Sequence, residues 1–319
     1  MKQTVLVTGG AGYIGSAAVK ALIKEGYDVV VVDNLSKGVL RLVDPKAKFY
    51  EIDLVDKSKL EEVFKKHMIN AVMHFAAYKS IEESMENACK YSENIIGTIN
   101  LLDLMVRYNV KRIVYSSSAS LYGNPEYNPI DEDHPTNPIN YYGFTKLECE
   151  NTIRWYGKIH NMLYVSLRYF NVAGDSGLEY IDPNAVNIFP IIMEVIFGKR
   201  KNMVIYGKDY DTRDGTCIRD YIDVNDLVKA HILALDVNKS LVVNLGTSKG
   251  VTVKELVDAV IEVIGKPFNY EYGERRKGDP PALTASNEKA KKLLNWKPEK
   301  SIKEMIQSTY DAYSRIEYS

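Results

Sequence analysis

Apolar residues recur along this chain in two alternating rhythms, short β-branched runs and longer stretches at helical spacing. Residues 4–7 (Thr4, Val5, Leu6, Val7) form the first run. A glycine-rich stretch follows, and residues 16–24 then carry Ala17, Ala21 and Leu22 on one helical face. Four valines at 29–32, then 49–52, 72–75, 113–115, 165–169 and 241–245 repeat the strand-like run, with helical patterns near 60–66 and 95–108 between them. Alternation of this kind predicts an α/β fold, a doubly wound parallel sheet of Rossmann type, accompanied by a smaller mixed α/β C-terminal domain. The expected division is 1–172 plus about 238–250 for the sheet domain, and 173–237 plus 251–319 for the second. Thr252-Val253-Lys254-Glu255 reads as a capping box opening a helix over 256–264, a structural device without catalytic meaning.

Composition supports an ordinary globular chain. Its 319 residues are 45% hydrophobic with a formal net charge of -1, enough to bury a full core. No basic block points to nucleic acid, and no run is suited to a membrane. Met1-Lys2-Gln3 leads straight into the first run, which leaves no room for a signal peptide, so the expected location is cytoplasmic. Cys89, Cys149 and Cys217 stand far apart, are expected as reduced thiols, and suggest no metal site. Trp155 and Trp296 are expected as packing residues, not as stacking platforms.

The candidate chemistry begins in the glycine stretch Thr8-Gly9-Gly10-Ala11-Gly12-Tyr13-Ile14-Gly15, set between strand and helix. Gly9 would permit the tight turn, Gly12 the close approach of a pyrophosphate, and Gly15 the packing of helix on strand. Asp33 closes the valine run, where a carboxylate accepts ribose hydroxyls and repels a 2′-phosphate. NAD is therefore favoured over NADP, with Lys37 and Arg41 close enough to soften that preference. Asp53, after the third run, is a candidate for the adenine end or a plain solvated cap. Tyr142 and Lys146 lie four apart, on one face of a helix, where a cation can support a phenolate. Ser116-Ser117-Ser118 follows the 113–115 run, and a hydroxyl there could share a substrate proton with Tyr142 acting as general base. Together these features indicate redox chemistry on an alcohol.

These motifs, with His74-Phe75-Ala76-Ala77-Tyr78-Lys79, Arg168-Tyr169-Phe170-Asn171, Asn187-Ile188-Phe189-Pro190, Asp214 to Tyr221 and Arg275-Arg276-Lys277-Gly278-Asp279, resemble the extended branch of the short-chain dehydrogenase/reductases. Within it the chain is similar to the UDP-galactose 4-epimerases, nearly end to end. The resemblance implies Ser118, Tyr142 and Lys146 as the catalytic set. It implies NAD held by Gly9, Gly12, Tyr13, Ile14, Gly15, Asp33, Asn34, Asp53, Leu54, Phe75, Ala76, Ala77, Lys79, Asn94, Tyr142, Lys146 and Tyr169. For the UDP-sugar it implies Lys79, Ser118, Tyr142, Phe170, Asn171, Asn187, Ile188, Arg219, Tyr221, Arg276 and Leu283, with Tyr206 beside the uracil and Asp279 near the ribose. Arginine's planar fork suits diphosphate oxygens. The alternative for Arg219 and Arg276 is a solvated site or a salt bridge to Asp220 or Asp279.

The implied reaction is inversion at C4 of a UDP-hexose, in galactose metabolism, with NAD regenerated in each cycle. Family dehydratases carry an Asp-Glu pair directly after the position of Ser118, where this chain has Ala119 and Ser120; a glutamate of the related UDP-glucuronate decarboxylases is missing too. A UDP-uronate or UDP-pentose epimerase, a net oxidoreductase and an NAD-binding sensor without chemistry stand as other readings. By resemblance, Leu283 sits where side-chain bulk decides whether an N-acetyl group at C2 is admitted. Leucine is intermediate, which leaves use of both sugar types open. Family members dimerise through two helices from each subunit, which here correspond to 95–108 and 147–160.

Overall fold

The computed structural model describes residues 3–183, 185–276 and 279–317. Lys277 and Gly278 of the Arg-Arg-Lys-Gly-Asp segment, and Asn184 of the 172–186 loop, lie outside them. The first half alternates strands β1 (Thr4–Thr8), β2 (Asp28–Asp33), β3 (Lys48–Glu51), β4 (Ala71–His74), β5 (Arg112–Ser116) and β6 (Leu163–Tyr169) with helices α1 (Tyr13–Lys24), α2 (Lys57–Lys66), α3 (Ile81–Glu86), α4 (Ala88–Arg107) and α5 (Tyr141–His160). The second half contains β7 (Asn171–Ala173), α6 (Ile188–Ile196), β8 (Met203–Tyr206), β9 (Ile218–Arg219), β10 (Tyr221–Asp223), α7 (Val224–Ala234), β11 (Leu241–Leu245), β12 (Val251–Thr252), α8 (Val253–Ile264), β13 (Tyr270–Gly273), β14 (Ala282–Leu283), α9 (Glu288–Leu294) and α10 (Ile302–Glu317). No described helix is long and apolar enough to cross a membrane.

Seven strands form one parallel sheet in the order β11-β6-β5-β4-β1-β2-β3. Both faces are covered, as a parallel sheet requires. Successive residues alternate between two cores: Val5, Val7, Val29 and Val31 face α1 and α7, while Leu6, Val30 and Val32 face α2, α4 and α5. Each valine so buried contributes about 1.5–3 kcal/mol relative to exposure. A third core gathers Phe189, Ile192, Met193, Ile205, Leu256, Val257 and Ile306 from the C-terminal elements. Strand order reverses between β1 and β4, which opens a crevice beyond their C-terminal ends.

Several expectations are corrected here. α1, α4 and α5 begin earlier than the apolar periodicity indicates, at Tyr13, Ala88 and Tyr141. The first turns of α4 and α5 carry no continuous core-facing pattern, and that of α1 overlaps the glycine stretch, although Tyr13 and Ile14 pack against the core. Segments assigned to the second domain also pack on the sheet: Leu227, Val228 and Ala230 of α7, with Ala290, Leu294 and Trp296, belong to the core that contains Val5 and Val31. Trp296 is buried, its indole N–H donating to the Asp226 carbonyl at 2.8 Å, whereas Trp155 is 56% exposed on α5 under the Lys158 ammonium. The capping box forms as expected, Thr252 and Glu255 exchanging bonds at the start of α8.

Candidate active site

The glycine loop joins β1 to α1 at the crevice. Gly9 sits at φ 72°, and a Cβ there would lie 2.6 Å from the Ala76 amide nitrogen, so only glycine fits. A Cβ on Gly15 would lie 2.0 Å from the Gly9 carbonyl oxygen, which fixes how closely helix and loop approach. Gly12 differs: its Cβ would meet only the Gly9 oxygen, at 3.3 Å, and otherwise open space. Gly12 is the N-cap of α1 without a side-chain cap, and the first turn has no acidic residue. The positive end of the helix is thus left bare beside an open cradle, which fits the pyrophosphate of a dinucleotide. Tyr13 and Ile14 form that first turn.

Asp33 ends β2 beside the cradle. Its carboxylate accepts the Ala11 N–H at 3.0 Å and the Leu35 N–H at 2.8 Å, which fixes its orientation. Burial raises its pKa, and the two amides counter that shift. Asn34 donates to Asp53 at 2.7 Å, so Asp53 orients its neighbour and, with a bond from the Val55 N–H, closes the turn in which Leu54 is buried. Arg41 is committed elsewhere, donating to the carbonyls of Leu178 and Glu179. That leaves a carboxylate, not a guanidinium, at the end of β2. Phe75, Ala76 and Ala77 continue from β4, with Phe75 packed on His231 at 4.7 Å between ring centres. Lys79 pairs with Asp182 at 3.7 Å. Asn94 is buried and holds both the N–H and the carbonyl of Tyr78, so it positions the segment that carries Lys79.

Tyr142, Lys146 and Ser118 come together at the C-terminal end of β5. Asn140 caps α5, accepting the Gly143 N–H at 2.8 Å, which puts Tyr142 in the first turn, where the helix dipole favours negative charge. A Cβ on Gly143 would lie 2.4 Å from the Ser120 carbonyl oxygen; its absence lets α5 close on the short 3-10 turn Ala119–Leu121. Ser118 accepts the Ser120 N–H at 3.1 Å and lies close enough to the Tyr142 hydroxyl to influence it. Burial pushes the Tyr142 phenol up and Ser118 pulls it back down. Lys146 is buried, its ammonium donating to the Ser116 carbonyl at 2.8 Å and lying 6.0 Å from the Tyr142 ring centre. Burial lowers its pKa to about 8. The cation therefore lies near Tyr142 without touching its oxygen. Tyr169 bonds through its hydroxyl to Ser116 beside them.

The C-terminal elements supply the opposite wall. Asn171 donates to the Asp220 carbonyl at 3.1 Å, leaving its amide oxygen free to accept. Asn187, at the N-cap of α6 before Ile188, makes no side-chain capping bond, and its amide is uncommitted there. Arg219 pairs with Asp279 at 2.5 Å and donates to the Pro280 carbonyl, so the ion-pair alternative holds for it. Asp220 is fully buried on Thr247, Ser248 and Ala285 and ties the strands together. The Arg276 guanidinium lies over the Tyr206 ring at 4.0 Å, an exposed cation–π pair. Tyr221 is buried against Phe189 and supports this wall from behind. Leu283, level with Arg219 in the β9–β14 register, packs with Phe170 on the turn after Ser118.

Sequence reasoning overlooked the polar layer beneath the site. Thr98 donates to the Asn94 carbonyl, so His74, held neutral by a pKa lowered to about 3 through burial, donates from Nε2 to Thr98 and accepts at Nδ1 from Thr8. It also overlooked a strap over the glycine loop. Asp175 accepts the N–H groups of residues 177–180, Tyr180 stacks on Tyr13 at 4.8 Å, and Tyr13 and Lys20 donate to carbonyls of Gly174 and Ser176. The strap's bonds to α1 join residues 161 and 156 apart, which leaves no local signal in a sequence. Among the described residues no group of three or more His, Cys, Asp or Glu could hold a metal ion.

Residues 6–309 match the protein family described as GDP-mannose 4,6 dehydratase. The chain is 46% identical over 302 residues to the UDP-glucose 4-epimerase of Lactobacillus helveticus, with 92% of each chain covered. It is similar to a crystal structure of a UDP-glucose 4-epimerase at TM-score 0.95 and 42% identity, over 98% of each chain. It is also similar to the UDP-glucose 4-epimerase from Bifidobacterium longum in complex with NAD+ and UDP, at TM-score 0.92 and 39% identity, again over 98% of each chain.

Proposed function

The chain belongs to the UDP-glucose 4-epimerase family, and on that premise we propose how its own residues interconvert UDP-glucose and UDP-galactose with NAD as cofactor. The observation that carries the reading is the grouping of Tyr142, Ser118 and Lys146 beside a bare, uncapped glycine cradle. NAD, when bound, supplies a reversible hydride acceptor for C4 of the sugar. Asp33, fixed by two amides, receives the adenosine ribose, and the α1 N-terminus receives the diphosphate. Tyr142 takes the C4 hydroxyl proton, with Ser118 as the relay between substrate and phenol. Lys146 and the N-terminal end of α5 favour the phenolate.

Inversion requires the 4-keto sugar to turn while its nucleotide stays put. Asn171, Asn187, Arg219 and Arg276 hold the UDP through amide and guanidinium contacts, with Arg219 exchanging Asp279 for phosphate oxygens. The hexose meets Phe170 and Leu283, whose apolar surfaces hold it loosely enough to rotate. Leu283 is smaller than a tyrosine, so it leaves room to test UDP-N-acetylhexosamines as second substrates. Elimination is disfavoured because Ala119 and Ser120 offer no carboxyl group next to Ser118. We assign the NAD-binding unit to residues 1–172 and 238–250 with α7 and α9 packed on it, and the UDP-sugar unit to the remainder. Ile96 and Ile99 on α4, with Phe144, Trp155 and Ile159 on α5, leave an apolar face exposed, which supports a homodimer through these helices. Galactose metabolism in the cytoplasm, where the unpaired Cys89, Cys149 and Cys217 remain reduced, completes the reading.

Tyr142→Phe tests the assignment, since it removes only the proton acceptor. NAD and UDP binding, followed by calorimetry, are expected to remain within about twofold, while turnover falls about 10²- to 10⁴-fold. Turnover above a tenth of the wild type would remove Tyr142 as the base.

A further inference from the structure

Behind the serine loop lies a buried ion pair that the reaction above does not use. Glu150 and Arg168 form a two-pronged bridge, Nε to Oε1 at 3.0 Å and Nη2 to Oε2 at 2.7 Å. Both side chains are more than nine-tenths buried. A bridge so placed gains little net stability, because desolvation offsets most of the attraction. What distinguishes this pair is its remaining bonds. Ser117 donates to Glu150 Oε1 at 2.5 Å, and Arg168 Nη1 donates to the Tyr122 hydroxyl at 2.9 Å. Tyr122 in turn donates to Asn244 at 2.7 Å, whose amide donates to the Ile130 carbonyl. Ser117 precedes Ser118, and Tyr122 closes the 3-10 turn that Ser118 opens. One rigid pair therefore grips both ends of a six-residue loop whose Ser118 hydroxyl must meet Tyr142.

We propose that the Glu150–Arg168 pair is a positioning device for catalysis, setting Ser118 against Tyr142 by holding Ser117 and Tyr122. The proposal rests on the epimerase reading. The side chain of Ser117 faces α5 while that of Ser118 faces the crevice, so Ser117 touches neither substrate nor cofactor and acts through its neighbour. A displacement near 1 Å at a reacting group costs on the order of 10²-fold.

The test is Ser117→Ala, which keeps the ion pair and frees the loop, measured alone and in a Ser118→Ala background. The expected result for Ser117→Ala is a fall in kcat of about ten- to a hundredfold, with KM for UDP-galactose and NAD affinity within twofold. In the Ser118→Ala background the same change is expected to have no further effect, because nothing is left to position. Tyr122→Phe, which frees the other end and keeps the ring, is expected to repeat the pattern and serves if Ser117→Ala does not fold. An unchanged kcat, a rise in KM alone, or an equal loss with and without the Ser118 hydroxyl would overturn the proposal. Wild-type protein that leaves UDP-galactose unconverted would remove the epimerase reading and this proposal together. Wild-type conversion with indifferent variants would remove the proposal alone.

Discussion

At Tyr142 two effects oppose each other: burial raises the phenol's pKa, and the Ser118 hydroxyl lowers it. Lys146, lowered to about 8 by burial, adds a positive charge only below that pH. The sign of the pH dependence follows. kcat/KM rises with pH through neutrality up to about 8 and then levels, because above that pH each further gain in Tyr142 phenolate is offset by loss of the Lys146 charge, both steps belonging to the coupled pair. Lys146→Arg, whose side chain stays charged, lets the rise continue above about 8; a profile that is flat or declining through neutrality would contradict the assignment. Tyr142, Lys146 and the glycines were legible because their meaning lies in short spacings. Glu150 was not, since Arg168, Ser117 and the fold that joins them lie 18 and 33 residues away. The exposure of Trp155 was equally hidden, because an exposed apolar face has the composition of a core face.

The glycine loop separates two jobs at the scale of one element. Gly12→Ala introduces a methyl 3.3 Å from the Gly9 oxygen, a contact relieved by a small shift of the loop, in the space proposed for the pyrophosphate. It is expected to leave the melting temperature of cofactor-free protein little changed and to weaken NAD binding at least about tenfold, a loss of about 1.4 kcal/mol. Gly15→Ala places its methyl 2.0 Å from backbone and is expected to destabilise the protein by about 1–3 kcal/mol or more. Paired thermal melts and NAD titrations check both, and equal NAD affinity for Gly12→Ala and the wild type would mean that the loop does not meet the phosphates. The seven strands of the sheet were legible from their apolar residues, as near-continuous buried runs in β1, β2 and β4 and more weakly in the edge strand β3, where only Phe49 and Tyr50 of Lys48–Glu51 are apolar. The elements β9, β12 and β14 are two residues long and carry no period. α6 is apolar on every side, with Pro190 tolerated in its first turn, so strand and helix could not be separated by pattern.

For the whole molecule, the exposed apolar face of α4 and α5 carries the expectation of a homodimer. Trp155→Glu with Ile159→Lys is expected to shift the mass measured by light scattering from two chains to one; a wild-type protein that runs as a monomer would sink it. The sheet order also explains why one crevice serves both ligands, since its reversal between β1 and β4 lies beside β5, whose end carries the serine loop. The packing of α7 and α9 on the sheet was not legible, because it is made through contacts no local pattern announces. The central claim is best tested by an NMR time course of the wild type with UDP-galactose and, separately, UDP-N-acetylgalactosamine, with NAD at catalytic concentration. The account predicts approach from either sugar to a mixture with its gluco epimer, more slowly for the N-acetylated one, and no net accumulation of NADH. UDP-galactose left unchanged, or conversion that stops once the supplied NAD has all become NADH, would contradict it.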